Sequence, residues 1–339
     1  MASAEHAVPA PPGVDRGAVW RHVSLQNAPL ILSLLILLGT TGLYIVFFNS
    51  NTGGLPGSFE LTSLANTTLP LIFAALGQTV VVLTRGIDLS VGGMMDLSNS
   101  LAAAEMHATL GSELLWSAII IAIGAAGGLL NGLLVVYARL QPILVTIATL
   151  SIFQGLAIAV LPQPGGAIPS AYTSVLTNPN QPTSLAYVAF VMLAWVAFRR
   201  SSFGIATFAV GNDQDAARAR GIAVDRTKVL VYTLSGMLAA IAGLFLAASA
   251  TAGDATTGDV YILQSIAAVV LGGISFAGGR GSGVGAVAGA FTLTLLVNVL
   301  FFAGINPLYQ QFYQGLFLIT AIVLGAAIAR LGRVGRIGR

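Results

Sequence analysis

The residues able to do chemistry in this chain fall into three places. The segment GNDQDAARARGI, Gly211 to Ile222, and the residues after it hold Asp213, Asp215, Arg218, Arg220, Asp225, Arg226 and Lys228, seven of the chain's 27 charged residues. Asp88 and Ser90 stand in GIDLS, and Asp96, Asn99, Glu105 and His107 follow in an otherwise apolar run that opens at Leu89. Gly92, Asp96, Asn99 and Ala103 recur at three-and-four spacing, which puts them on one face of a helix. Covalent chemistry has little to work with. There is no cysteine, and His6, His22 and His107 are scattered without the spacing of a metal site. Lys228 is the only lysine and stands outside any G-x-x-x-x-G-K-[ST] loop, so no nucleotide phosphate is held. Gly283, Gly285 and Ala288 fit G-x-G-x-x-A, but no strand precedes them and no acidic residue follows at the ribose-binding distance. No catalytic set, metal site or cofactor is expected. What remains is hydrogen bonding and charge pairing.

The elements that position these groups follow from composition. With 56% hydrophobic and 8% charged residues and a mean hydropathy of +0.87, the chain is an integral membrane protein, since soluble domains carry about 25% charged residues. A polar segment, 1–27, precedes an apolar run from Ala28 to Phe48, longer than the ~7–15 residues of a signal-peptide core, which reads as a retained helix. Further apolar stretches lie at about 67–84, 89–110, 115–137, 142–161, 184–198, 229–250, 261–277, 283–303 and 309–329. The expected fold is therefore an all-α, polytopic bundle of about ten spans, given the ~20 residues each needs. The 184–198 run is short. Gly272 and Gly273 make 261–277 a candidate for a broken or re-entrant segment.

With the N-terminus inside, alternation of spans places all fifteen Lys and Arg residues on the cytoplasmic side. This satisfies the positive-inside bias and explains the pI of about 9.4 without nucleic acid. The expected domains are a cytoplasmic tail (1–27), a membrane domain (28–329) with a cytoplasmic loop at 199–228, and a basic cytoplasmic tail (330–339).

Within the polar segment, Asn212 is an expected N-cap with Asp215 three residues on, Ala216, Ala217 and Ala219 favour helix, and Gly221 suits a left-handed C-cap. A short surface helix results, and the adjacent Ala216 and Ala217 would let another protein approach closely. Gly124, Gly128, Gly132 and Gly281, Gly285, Gly289 form small-xxx-small rows, expected to pack helices tightly. Asp96 inside a span must face a partner or a watered cavity. Asp96 and Asn99 either line a path for a polyol, whose hydroxyls suit carboxylate and amide groups, or hydrogen-bond a neighbouring span. Asp88 reads either as an N-cap of the following helix or as a solute contact. Pro70 is expected to kink its span.

The pattern G-N-x-x-A-A-R-x-x-G-I resembles the cytoplasmic coupling loop of the permease subunits of ribose-type ABC importers. These belong to the binding-protein-dependent inner-membrane components that also include branched-chain amino acid permeases. GIDLSVGG (Gly86 to Gly93) and the glycine-rich IAAVVLGGISFAGGRGSGVGAVAGA (Ile266 to Ala290) are similar to the same family, with weaker similarity in ATLSIFQGLA (Ala148 to Ala157). The resemblance implies a permease of the bacterial inner membrane that works as a dimer, with a second copy or a paralogue. Its other partners would be cytoplasmic ATP-binding cassette ATPase subunits and a periplasmic or extracellular sugar-binding protein. It places ATPase coupling on Gly211, Asn212, Asp215, Ala216, Ala217, Arg218 and Gly221. The substrate-path candidates are Asp88, Ser90, Asp96, Asn99 and Gln264. Two departures bear on the solute: Tyr261 is followed by Ile262, Leu263 and Gln264 where members commonly show an acidic pattern, and Asp96 stands where an apolar or small residue is expected. The expected function is import of a monosaccharide or related polyol by alternating access. The alternatives are a permease for nucleosides or branched-chain amino acids, an ion-coupled secondary transporter, for which Asp96 is the one good midplane group, and a membrane enzyme, for which no constellation exists.

Overall fold

A computed structural model describes residues 16–320 and Val323, with side-chain surroundings from residue 28 onward. The tail readings for 1–15 and 330–339 lie outside the described residues. The chain runs through α1 (Arg16–Thr52), α2 (Ser58–Leu83), α3 (Ser90–Glu105), α4 (Leu110–Val136), α5 (Pro142–Val160), α6 (Ser170–Leu176) and α7 (Thr183–Arg200). It continues through α8 (Ser202–Asn212), α9 (Gln214–Ala219), α10 (Val224–Ala250), α11 (Asp259–Leu271), α12 (Gly283–Phe302) and a further helix, α13, at 307–320. Among the described residues no strand forms; Gly165 and Gly253 make one isolated antiparallel bridge.

Among the described residues, seven helices are long and apolar enough to cross a membrane: α1 from Ala28, α2, α4, α5, α7, α10 and α12. The sequence pattern calls for about ten. The difference lies in α3, α11 and the described part of α13, which are helical but short. The chain leaves α3 at Met106, whose backbone is extended, and Thr109 then caps α4 by accepting from the Ser112 N–H. With 16 residues, α3 is about 24 Å long. It is enclosed by protein from Ser90 to Ala103 except for partly buried Leu101, and the Ala103 carbonyl accepts from Ala167 N in the long connection after α5. A helix whose end is met by protein has no need to reach the far surface. The 261–277 stretch likewise stops at Leu271, because Gly272 and Gly273 close α11 and Gly273 turns at φ +74°.

The glycine rows hold the interior. A Cβ at Gly128 would collide with the Tyr232 carbonyl, one at Gly124 would lie 2.5 Å from the Gly236 carbonyl, and one at Gly132 would lie 2.8 Å from Val229 Cα. Helices α4 and α10 thus meet backbone to backbone, which only small residues permit. Gly285 and Gly289 do the same for α12 against Gly272 and Ala268 of α11. Outward faces are oily: Leu38 on α1, Leu144 on α5 and Leu193 on α7 are 67%, 64% and 70% exposed, as lipid contact requires.

The ends that carry the basic residues lie together. The end of α4, before Arg139, packs on the start of α10 through Gly132 and Val229, and the end of α7, before Arg199, packs on the start of α12 through Trp195 and Gly283. The turn after α2, with Arg85, meets α8 and the α11–α12 turn, with Arg280.

Candidate functional site

Helix α9 projects from that basic end. Asp213 is its N-cap: one carboxylate oxygen accepts from Asp215 N at 2.9 Å and Ala216 N at 3.0 Å. This corrects the expectation for Asn212, which is the last residue of α8. The opposite end closes in a Schellman motif, with Ile222 N donating to the Ala217 carbonyl, Gly221 N to that of Arg218, and Gly221 at φ +81°. The paired alanines divide their work. Ala217 is buried against Val210 and Val224, so it anchors α9 and is not part of its outer face, while Asp215, Ala216, Arg218 and Ala219 are exposed. Arg218 pairs with Asp225 at 3.0 Å with both side chains more than half exposed, a contact worth at most about 1 kcal/mol. Lys228 donates to Gln214 at 3.0 Å.

Beneath α9 the three segments that carry the family resemblance come together. Arg85 donates from Nε to the Gly211 carbonyl at 2.8 Å and from Nη2 to the Asn212 carbonyl at 2.6 Å. Gly279 N donates to the Leu83 carbonyl at 2.9 Å, and a side chain at Gly211 would run into the Leu83 carbonyl and the Gly279 backbone. Gly211 is therefore a site of close approach between α8 and two turns.

Behind this turn Asp88 forms a closed knot. Oδ1 accepts from Ser90 N at 3.0 Å and Ser90 Oγ at 2.6 Å; Oδ2 accepts from Ser235 Oγ of α10 at 2.8 Å. Asn131 of α4 donates to Ser90 Oγ at 2.8 Å. All four residues are buried. The first pair of bonds closes the turn that enters α3, whose N-cap is Leu89 and not Asp88, and the bond to Ser235 adds a tie across the bundle.

Asp96 is bound differently. Its Oδ1 accepts from Gly258 N at 2.5 Å, while Oδ2 has no partner among the described residues. Asn99 donates to the Asp254 carbonyl at a long 3.5 Å, and its own Oδ1 is unpartnered. The 251–258 connection thus folds back against the middle of α3, where a side chain at Gly92 would also meet the Gly258 carbonyl. Next to it Gln154 of α5 hydrogen-bonds Asp259. Asp259 is exposed and Gln154 partly so, on a face otherwise made of Ile147, Leu144, Ile158 and Leu263. Asp254, outside the helices, has its carboxyl held below the usual range by the Thr256 hydroxyl and backbone N–H, so it stays ionised.

Gln264 lies elsewhere. It donates to Gln314 at 3.2 Å and lines a cleft of about 500 Å³ between α1, α2, α11 and α12, together with Tyr44, Glu60, Tyr261 and Asn298. Of the path candidates, then, Asp88 with Ser90 forms one cluster, Asp96 with Asn99 a second, and Gln264 stands apart. Sequence reasoning missed Arg85, Asn131, Ser235 and Gly258. Asn131, the lone amide of the apolar α4 and one residue from its glycine row, carried a usable signal; the others are read only in three dimensions.

The described residues, all-helical with seven apolar helices of spanning length, a buried polar centre and a short capped helix at the basic end, make a multi-pass membrane protein. It belongs to the family described as branched-chain amino acid transport system / permease component, whose model matches residues 61–322. It is 37% identical to the ribose import permease protein RbsC of Bacillus subtilis over 74% of this chain and 79% of that one. The autoinducer 2 import system permease protein LsrC of Enterobacter sp. is 38% identical over 75% of each chain. The galactose/methyl galactoside import permease protein MglC of Escherichia coli is 28% identical over 88% of this chain and 94% of that one. No solved structure matches. As a member of this family the chain is the inner-membrane permease subunit of a bacterial ABC importer and not its ATPase.

Proposed function

We propose that the solute imported is a monosaccharide or related polyol, driven by separate cytoplasmic ATPase subunits that dock on α9 and supplied by an external sugar-binding protein. The observation that carries the docking role is the construction of α9. It is capped at both ends, anchored by Ala217 and braced by Arg85, yet turns Asp215, Ala216 and Arg218 outward. A hydrated linker has no need of such bracing. Relatives named for ribose and galactose import support the sugar.

On this reading α9 and both termini are cytoplasmic, and α3, α11 and α13 join the seven long helices to make ten membrane passes. The solute path runs by Asp96 and Asn99. A second copy or a paralogue covers the α5–α11 face, where Gln154 and Asp259 interrupt an oily surface that lipid alone would not accommodate cheaply. Alternating access follows as ATP-driven movement of the ATPases displaces α9 and rocks the helices around the path.

The test is Ala216→Trp combined with Arg218→Glu, two exposed positions that leave the caps and the Ala217 anchor in place. The tagged variant should insert normally, lose co-purifying ATPase and lose uptake of radiolabelled ribose or galactose at least tenfold. Undiminished ATPase recovery and uptake would overturn the docking assignment.

A further inference from the structure

The turn between α2 and α3 joins the two polar clusters that bear on transport. Its first residues reach the end of α8, next to α9, and its last reaches the bundle centre. Arg85 closes the end of α8 by donating to the Gly211 and Asn212 carbonyls, which lack intrahelical donors at a helix C-terminus. Three residues later Asp88 is bonded to Ser90 of α3 and Ser235 of α10. Between them Gly86 N returns to the Val81 carbonyl at 3.1 Å, and a side chain at Gly86 would sit 2.6 Å from Tyr232 Oη, so the turn has no slack against α10. Arg85 itself is held at φ +67°, a conformation that residues other than glycine adopt at a cost. Its guanidinium has no carboxylate partner; the only ion pair among the described residues is Arg218 with Asp225. A cation on backbone carbonyls at a helix end is directional, set by the helix dipole and two hydrogen bonds.

We infer that Arg85 is a positioning residue for transport: it ties the α8–α9 corner to the Thr84–Asp88 turn, so that displacement of α9 is delivered to α3 and to Asp96, the solute contact of the proposed function. The inference rests on the reading of α9 as the ATPase-docking helix. No other described side chain bonds α8's terminal carbonyls to this turn; beside it stand the van der Waals approach of Gly211 to the Leu83 carbonyl and the Gly279 N–H on that same carbonyl, from the α11–α12 connection.

The chain has no cysteine, so spin labels can be placed in it without background from this subunit, and it is labelled before assembly with the ATPase. A pair at Glu105→Cys, the exposed end of α3, and Leu185→Cys, on α7, reports movement of α3 by double electron–electron resonance in the complete complex with its ATPase. ATP with orthovanadate should shift the wild-type distance by about 2 Å or more. Arg85→Gly removes both hydrogen bonds while relieving the backbone cost, so the turn itself should persist. In that variant the ATPase should still co-purify and still bind ATP, but the shift should fall below about 1 Å, and ribose uptake should drop at least tenfold. Arg85→Lys, with a single donor nitrogen in place of the guanidinium's Nε and Nη2, should restore part of both. The inference is overturned by an unchanged shift in Arg85→Gly, by the absence of any shift in the wild type, or by loss of ATPase binding in Arg85→Gly, which would make Arg85 only a support for α9. Ala216→Trp with Arg218→Glu separates the two readings: if that variant keeps the ATPase, the docking reading fails first; if it loses the ATPase while Arg85→Gly transports normally, only the relay fails.

Discussion

Asp88 and Asp96 are both carboxylates buried on the same short helix and its entry turn, and they are bound in opposite ways. Asp88 uses both oxygens, on donors from two helices, and the Ser90 hydroxyl that serves it is itself fixed by Asn131 from a third. Asp96 has a single backbone N–H on one oxygen, and the other, buried with Gln154 close by, has no hydrogen-bond partner among the described residues. Burying a carboxylate is costly unless its hydrogen-bonding capacity is met. A saturated carboxylate gives position, whereas one left half-met keeps capacity for a visitor. The difference separates two residues that are both path candidates in the sequence: Asp88 is saturated within the fold, and the proposed solute contact rests on Asp96.

The largest effect should come from breaking the saturated partner. Asp88→Ala leaves the Ser235 hydroxyl and the Ser90 N–H and hydroxyl without an acceptor in a closed interior. At about 1–3 kcal/mol for each orphaned group, the loss is roughly 3 kcal/mol or more. The expected outcome is a severe fall in properly inserted, detergent-stable protein by fluorescence size-exclusion, with Asp88→Asn intermediate because its carbonyl keeps one acceptor. Normal yield and thermal stability for Asp88→Ala would remove the distinction from Asp96.

The converse change sharpens it. Asp96→Asn retains a carbonyl oxygen for the Gly258 N–H and changes only the unpartnered end of the group to an amide, so stability should stay within about 1 kcal/mol of wild type. Uptake in cells producing equal amounts of protein should nevertheless fall about tenfold or more, the equivalent of about 1.4 kcal/mol of lost stabilisation of the passing solute. Unchanged uptake would place Asp96 with Asp88 as a structural bond between α3 and the 251–258 connection.

How much of this could be read from sequence follows the range of each interaction. The helix at α9 was legible because Asp213, Ala216 to Ala219 and Gly221 act within a few residues of one another. The cap moved from Asn212 to Asp213 because α8 continues through Asn212 and Arg85, over a hundred positions away, claims its carbonyl. The opposite directions of Ala216 and Ala217 depended on Val210 and Val224 lying behind the helix, which no local pattern records. Hydropathy marked the seven long helices together with α3, α11 and α13, missed α6 and α8, and lengthened α3 and α11. It counts apolar residues and cannot see that the Ala103 carbonyl is met by Ala167, whereas the stop of α11 was signalled by Gly272 and Gly273. The spacing of Asp96 and Asn99 was legible; the fact that Gly258 binds one oxygen and leaves the other was not.

The smallest effect should come from Asn99, and it tests whether spare capacity on this face means use. Its hydrogen bond to the Asp254 carbonyl is 3.5 Å long and its own carbonyl oxygen is unmet. Asn99→Ala therefore removes one weak bond together with one orphan, and the two nearly cancel, leaving stability within about 0.5 kcal/mol of wild type. If the orphan is there for a solute, uptake should still fall a few-fold, mainly through a higher apparent KM, since a lost hydrogen bond to a passing polyol is worth about 0.5–1.5 kcal/mol. The double variant Asp96→Asn with Asn99→Ala should then fall by less than the product of the single effects, because neighbouring groups that hold one hydroxyl act as a unit. Independent, fully multiplicative losses would separate the two residues along the path and leave Asp96 alone to answer the free-oxygen argument.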